Sequence, residues 1–514
     1  MPHNQRIIIL NFGGQYCQLI ARRVREAGVY CEVLPHDTPI ETIRAAKPLG
    51  LILSGSPASV RRPDAPYADP ALLNLGVPVL GICYGMQWIA HQLGGAIESH
   101  DAREYGRVSI RFYQNLCDLT EPMPSTASCW MSHTDLVTRA PEGFATLAYS
   151  DNCPVAAMAD PSRKLYGVQF HPEVTHTERG RELINGFLYN ICGASGDWSM
   201  ETFIQQKLSE LRSRIGAGRV LLGLSGGVDS AVTAALLSKA IGGQLTCVYV
   251  DHGLMRKDET EQVREAFEGH FDMRLIQADA SDLFFSRLKG VVEPERKRKI
   301  IGAAFVGVFA AEAAKLGAIE FLAQGTTYPD VIESGQAAGA AVIKSHHNVG
   351  GLPDNIGFNG LIEPVRMLFK DEVRAVGEKL GLPESLVWRQ PFPGPGLAIR
   401  CLGEVTRDKI DIVRASDAIL REEIAKAGLA RDIQQYLTVL TGVRSVGVMG
   451  DERTYENAIA IRAVTTDDFM TSDWARVPYD VLARISSRIV NEAPRVNRVV
   501  YDITTKPPAS IEWE

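Results

Sequence analysis

Nine cysteines are present, an odd number, and no two have CxxC spacing. That excludes a disulfide framework or a zinc ribbon, and reduced thiols in a cytoplasm are expected. No apolar stretch approaches the ~20 residues of a membrane span. The first residues, MPHNQRIIILNFGGQY, hold one Arg and a four-residue apolar run, which is not a secretory signal. Basic charge is not in excess: 54 Lys and Arg face 61 Asp and Glu, a formal net charge of −7. Bulk binding to nucleic acid or to an anionic membrane is therefore not expected. No internal repeat or low-complexity tract occurs. One further absence concerns Ser225-Gly226-Gly227-Val228-Asp229-Ser230. This turn has the look of a phosphate loop, yet the lysine of a Walker A loop is missing from it.

The 514 residues suffice for about three domains, each able to bury a core. Up to residue 192, β-rich runs at 7–10, 51–54, 78–82 and 165–170 alternate with helical patterns at 15–27 and 86–93. Such alternation describes a sheet covered on both faces. Gly193-Ala194-Ser195-Gly196-Asp197 reads as a linker. A second series follows, with strands at 220–224, 246–250 and 320–323 and helices at 229–240 and 258–267. From Arg389 the texture changes. Pro391-Phe392-Pro393-Gly394-Pro395-Gly396 cannot be regular structure. After it come a helix at 404–427, strands at 443–448, 458–464 and 498–503, and a helix at 479–491. The expected fold is α/β: two parallel-sheet α/β domains, 1–195 and 196–390, followed by a smaller α+β domain, 391–514.

Cys83 lies between an apolar run and a helical pattern, with Gly81 and Gly85 two residues to either side. This is the nucleophile-elbow pattern with sulfur in place of oxygen. The glycines relieve crowding at a strained turn, and the helix N-terminus offers N–H donors to an oxyanion. A thiol nucleophile needs a base, and the base needs an orienting group. His171-Pro172-Glu173 ends the extended pattern LYGVQF. Residues two apart in an extended chain share a face, so Glu173 can hold the His171 imidazole for Cys83.

GGQY, Leu53-Ser54-Gly55-Ser56-Pro57, Gly81-Ile82-Cys83-Tyr84-Gly85-Met86-Gln87 and Phe170-His171-Pro172-Glu173 resemble the class I glutamine amidotransferases over roughly residues 5–192. The resemblance implies hydrolysis of glutamine through a Cys83 thioester. It implies an oxyanion hole made by the N–H groups of Gly55 and Tyr84. Gln87 and the segment Ser132-His133-Thr134-Asp135 would hold the substrate glutamine.

In the loop 225–230, Gly226 and Gly227 permit close backbone approach to a phosphate. Ser225 and Ser230 add hydroxyls, and the following helix adds its dipole. Asp229 would repel phosphate directly but suits Mg²⁺, which bridges carboxylate and phosphate oxygens. SGGVDS resembles the signature of ATP pyrophosphatases, which cleave between the α- and β-phosphates, so the loop would hold pyrophosphate. Adjacent His346 and His347 point apart on an extended chain and do not suggest a metal pair. Lys344 beside them is the better candidate, as a cation for ATP phosphates.

Further segments extend the resemblance: Lys297-Arg298-Lys299-Ile300-Ile301-Gly302, Tyr328-Pro329-Asp330-Val331-Ile332-Glu333-Ser334, Ile343-Lys344-Ser345-His346-His347-Asn348, the PFPGPG run and Lys506-Pro507-Pro508-Ala509-Ser510-Ile511-Glu512-Trp513-Glu514. Together they are similar to the GMP synthetase family across essentially the whole chain. That implies adenylylation of XMP by ATP, then amination to GMP. It implies Arg298, Lys506 and Glu512 as XMP ligands and a homodimer formed through the C-terminal domain. In 506–514, Ile511 and Trp513 alternate with Glu512 and Glu514, so the apolar pair should pack and the carboxylates should face the other way. Two other readings compete. A tRNA thiolase with the same loop would need a sulfur-carrying Cys in the second half, where only Cys247 and Cys401 lie. A nucleotide sensor would not need Cys83, His171, Glu173 and Asp229 together.

Overall fold

The computed structural model describes residues 5–114, 116–333, 358–466 and 471–514. They divide into two compact units, which part between Gln206 and Lys207, with residues 329–333 counted in the first.

The first unit is built on a nine-stranded sheet. Its strands are β1 (Ile7–Asn11), β2 (Cys31–Pro35), β3 (Gly50–Leu53), β4 (Val79–Ile82), β5 (Ala96–Phe112), β6 (Thr126–Arg139), β7 (Ala145–Tyr149), β8 (Ala157–Asp160) and β9 (Leu165–Val168). Their order is β2-β1-β3-β4-β9-β8-β7-β5-β6. The first five pair in parallel. Strands β3, β4 and β9 are buried along their whole length, as expected of a sheet covered on both faces. The sheet is then extended by antiparallel pairs. The long hairpin β5–β6 was not anticipated from the sequence. Its buried and exposed positions alternate, so half its residues are polar and no apolar run marks it.

In the second unit, β10 (Val220–Gly223), β11 (Leu245–Asp251), β12 (Arg274–Asp279), β13 (Phe321–Ala323) and β14 (Gly360–Ile362) form a parallel sheet in the order β12-β11-β10-β13-β14. The chain starts at the centre, builds one flank and then the other. Open α/β sheets bind ligands at the strand C-termini where that direction reverses, and the loop 225–230 follows β10 there. A smaller sheet of β15 (Gln435–Met449), β16 (Glu452–Thr465), β17 (Asp473–Trp474) and β18 (Val496–Asp502) packs against helices Arg407–Lys426 and Tyr479–Glu492. One core, including Leu254, Phe309, Leu397, Ile410, Tyr436, Ile461 and Ile485, joins both sheets. The expected fold class is thus observed, with the first sheet mixed rather than wholly parallel. Among the described residues no helix is long and apolar enough to cross a membrane.

Candidate active sites

Three adjacent parallel strands deliver the first site. Gly55 follows β3, Cys83 follows β4 and His171 follows β9, so one sheet edge gathers all three. Cys83 has φ +53°, a left-handed conformation that costs a non-glycine residue roughly 1–3 kcal/mol. Its neighbours explain how the turn closes. A Cβ on Gly81 would lie 2.5 Å from the Gly85 carbonyl carbon, and one on Gly85 would lie 2.3 Å from the Leu53 oxygen. No side chain caps the helix Tyr84–Gln92, so its first N–H groups are left for a ligand.

His171 Nδ1 lies 2.7 Å from Glu173 Oε1. Both side chains are buried. Burial alone would favour the neutral imidazole. The Glu173 carboxylate and the Cys83 sulfur outweigh it and hold His171 well above its usual pKa. The sequence pattern missed Gln169. This wholly buried amide donates to Cys83 Sγ at 3.7 Å and accepts from Gln87 at 3.3 Å. A polar residue inside the apolar run LYGVQF was the available signal. Gln87 is buried and also donates to the Asp135 carbonyl at 2.7 Å. Ser132 presents its carbonyl to Cys83 Sγ at 3.8 Å. His133 lies buried 3.5 Å from Glu104, and Asp135 accepts from Ser99 at 2.5 Å and from Ser59. Gly55 borders the site: a Cβ there would lie 3.2 Å from His171 Cε1 and 3.8 Å from Cys83 Cβ.

In the second unit, the loop after β10 is closed by its own hydroxyls. Ser225 N–H donates to Ser230 Oγ at 3.2 Å, and Gly227 N–H donates to Ser225 Oγ at 3.3 Å. Gly226 takes φ +77°, and helix Val228–Ile241 starts without a side-chain cap. Asp229 Oδ2 accepts from Lys370, while its buried Oδ1 has no hydrogen-bond partner among the described residues. Lys370 was also missed. It opens helix Lys370–Leu380, where the dipole disfavours a cation, and that misfit was the sign of another role. Arg389 donates to the Gly226 carbonyl and to Glu259. No group of three or more His, Cys, Asp or Glu among the described residues could hold a metal. The orphaned Asp229 oxygen fits an ion held largely by phosphate, as Mg²⁺ commonly is. Lys344, His346 and His347 lie outside the described residues.

The nucleotide candidates near the end of the chain are engaged with protein groups. Arg400 forks onto Glu512 at 2.8 and 3.1 Å, and Gln435 donates to the same carboxylate at 3.0 Å. Arg298 donates to the Glu514 backbone oxygen at 2.5 Å. Lys506 pairs its backbone with Ser472. Ile511 packs as expected, but Trp513 remains 38% exposed while the Glu514 side chain is only 7% exposed. The segment turns its carboxylates toward buried cations. Alternation failed because residues 507–514 are not a strand.

The family model for class-I glutamine amidotransferases matches residues 8–191, that for NAD synthase residues 199–297, and that for the GMP synthase C-terminal domain residues 422–513. A glutamine-hydrolysing GMP synthase of Acetivibrio thermocellus is 60% identical over 512 residues, covering 100% of both chains. The chain belongs to the glutamine-hydrolysing GMP synthase family. A GMP synthase of Clostridium perfringens is 57% identical over 508 residues, 99% of each chain. Among solved structures, a glutamine amidotransferase of Thermotoga maritima matches 41% of this chain and 86% of its own, at 18% identity and TM-score 0.29. Membership in this family makes the chain an enzyme; the Cys83 site lies in the segment that the amidotransferase model covers and the loop 225–230 in the one that the NAD synthase model covers.

Proposed function

We propose that this chain makes GMP from XMP, ATP and glutamine, with residues 1–195, 196–390 and 391–514 as amidotransferase, ATP pyrophosphatase and dimerisation domains. The observation that carries this reading is the coexistence of a thiol–imidazole–carboxylate set with an uncapped phosphate loop, in a chain related throughout to GMP synthases. Cys83 attacks the glutamine carboxamide, and His171, oriented by Glu173, carries the proton to the departing ammonia. The N–H groups of Gly55 and Tyr84 receive the oxyanion. Water then releases glutamate. Gln87, Ser132, His133 and Asp135 shape the glutamine pocket, Gln87 by bracing the Asp135 backbone.

At the second site the XMP C2 oxygen attacks the ATP α-phosphorus and pyrophosphate leaves. Ammonia adds at C2, and AMP departs with that oxygen. Ser225, Gly226, Gly227, Val228 and Ser230 hold the pyrophosphate, with Lys370 and Lys344 as cations. Asp229 would hold Mg²⁺, which supplies charge neutralisation to the phosphates. Arg298, Lys506 and Glu512 bind XMP. The nine free cysteines support a reducing, cytoplasmic setting. A second copy of the chain would cover the apolar face of β15–β16, where Val446, Val448 and Tyr455 are exposed. In the deciding experiment, Cys83→Ala loses glutamine-dependent GMP formation and keeps synthesis from added ammonium. Loss of both in a folded protein would refute the two-site assignment.

A further inference from the structure

The run Glu295-Arg296-Lys297-Arg298-Lys299 opens the long helix Pro294–Ala314. Its other members are exposed or half-buried, but Lys297 is wholly buried. A buried ammonium is costly unless acceptors surround it. Lys297 has three: the Cys401 carbonyl at 2.8 Å, the Ala398 carbonyl at 3.4 Å and the Glu514 carboxylate. Gly403 N–H donates to the other Glu514 oxygen at 3.4 Å, and Arg298 holds the Glu514 backbone oxygen.

We propose that Lys297 is a positioning residue for XMP. With Glu514 it forms a buried clamp that fixes the segment 506–514, so that Lys506 and Glu512 meet the nucleotide. The proposal rests on the reading above that these two residues bind XMP. The segment has other anchors too: Arg462 donates to the Ser510 carbonyl at 3.1 Å, and Trp513 Nε1 donates to Asp502 at 3.0 Å. Lys506 pairs its backbone with Ser472, Ile511 enters the core, and two prolines remove N–H donors. Its ion pairs are Arg400–Glu512 and Lys297–Glu514. The two partners of the clamp are not equivalent. Without Lys297, the Glu514 carboxylate keeps, among the described residues, only the Gly403 N–H and is better off in water, which draws the segment out with it. When only the charge of Glu514 is removed, an oxygen still remains to accept from the ammonium.

The test is ammonium-dependent GMP formation by the full chain, with Lys297→Met, Glu514→Lys, Glu514→Gln and Lys506→Ala. Lys297→Met and Glu514→Lys should raise the KM for XMP tenfold or more and leave the KM for ATP within twofold. Glu514→Gln should stay within threefold of wild type for both substrates. Hydrogen exchange across 509–514 should quicken in Lys297→Met and stay unchanged in β15–β16. A role confined to fold stability would raise both KM values alike, and that result overturns the clamp. If Lys506→Ala raises the KM for XMP while the clamp variants do not, the clamp is wrong and the XMP reading stands. If Lys506→Ala leaves it unchanged, the XMP reading falls and the proposal with it. Should Lys297→Met fail to fold, Glu514→Lys makes the same comparison.

Discussion

His171 is pulled in two directions, and the outcome can be measured. Desolvation disfavours its cation, whereas Glu173 and Cys83 favour it and prevail. In Glu173→Gln the main opposing influence is gone, so the ring should titrate below its wild-type value. Ring-nitrogen NMR reads this directly, and an unchanged midpoint would show that Glu173 does not orient the base. Stability should follow. A raised folded pKa contributes stability that is fully present below the unfolded value of about 6.5 and is lost as pH rises through the folded value. The difference in urea midpoint between wild type and Glu173→Gln should therefore narrow as pH climbs from 6. Cys83, His171 and Glu173 were legible from the sequence because a strained turn demands flanking glycines and an extended triplet aligns alternate residues. Gln169 was not, since its partners at residues 83 and 87 are distant in the chain.

At the scale of elements, strand–turn–helix units position both candidate sites. The unit from β10 through Val228–Ile241 was readable because its apolar strand, glycine turn and helix lie in sequence. Its cations were not, because Lys370 and Arg389 arrive from elsewhere. Asp229 takes its place here, with one oxygen on Lys370 and one without a partner. Asp229→Asn should suppress XMP-dependent pyrophosphate release by at least about a hundredfold with either nitrogen source, since a neutral amide is a poor Mg²⁺ ligand. Wild-type release by this variant would remove Asp229 from the metal assignment. Helix Pro294–Ala314 escaped detection for a different reason. Its sequence, with two glycines and apolar residues all round, lacks the single apolar stripe that marks a surface helix.

At the scale of the molecule, a polar sheet face would need no partner, but β15–β16 does not end in one. Val446 and Tyr455 lie opposite each other in the ladder, and Val448 is two residues along on the same face. Their exposures of 46%, 59% and 75% form an apolar patch of the kind that marks an interface. Val448→Glu should place a charge in the proposed dimer contact. Light scattering should then show a shift from dimer to monomer, with the fold retained by circular dichroism. An unchanged mass would place any dimer contact elsewhere.

The sequence by itself determined the order of the α/β blocks, the thiol elbow and the phosphate loop. Each is encoded by residues close together in the chain, where sterics and backbone period act over a few positions. Tertiary structure decided the rest. It joined β3, β4 and β9 so that residues 55, 83 and 171 share one edge, and it brought Lys370 to Asp229. It also buried Lys297 from within a charged run and turned Glu512 and Glu514 toward cations more than 100 positions away. A charge in a sequence declares only that it needs a partner or water. Which of the two it receives depends on packing between distant elements.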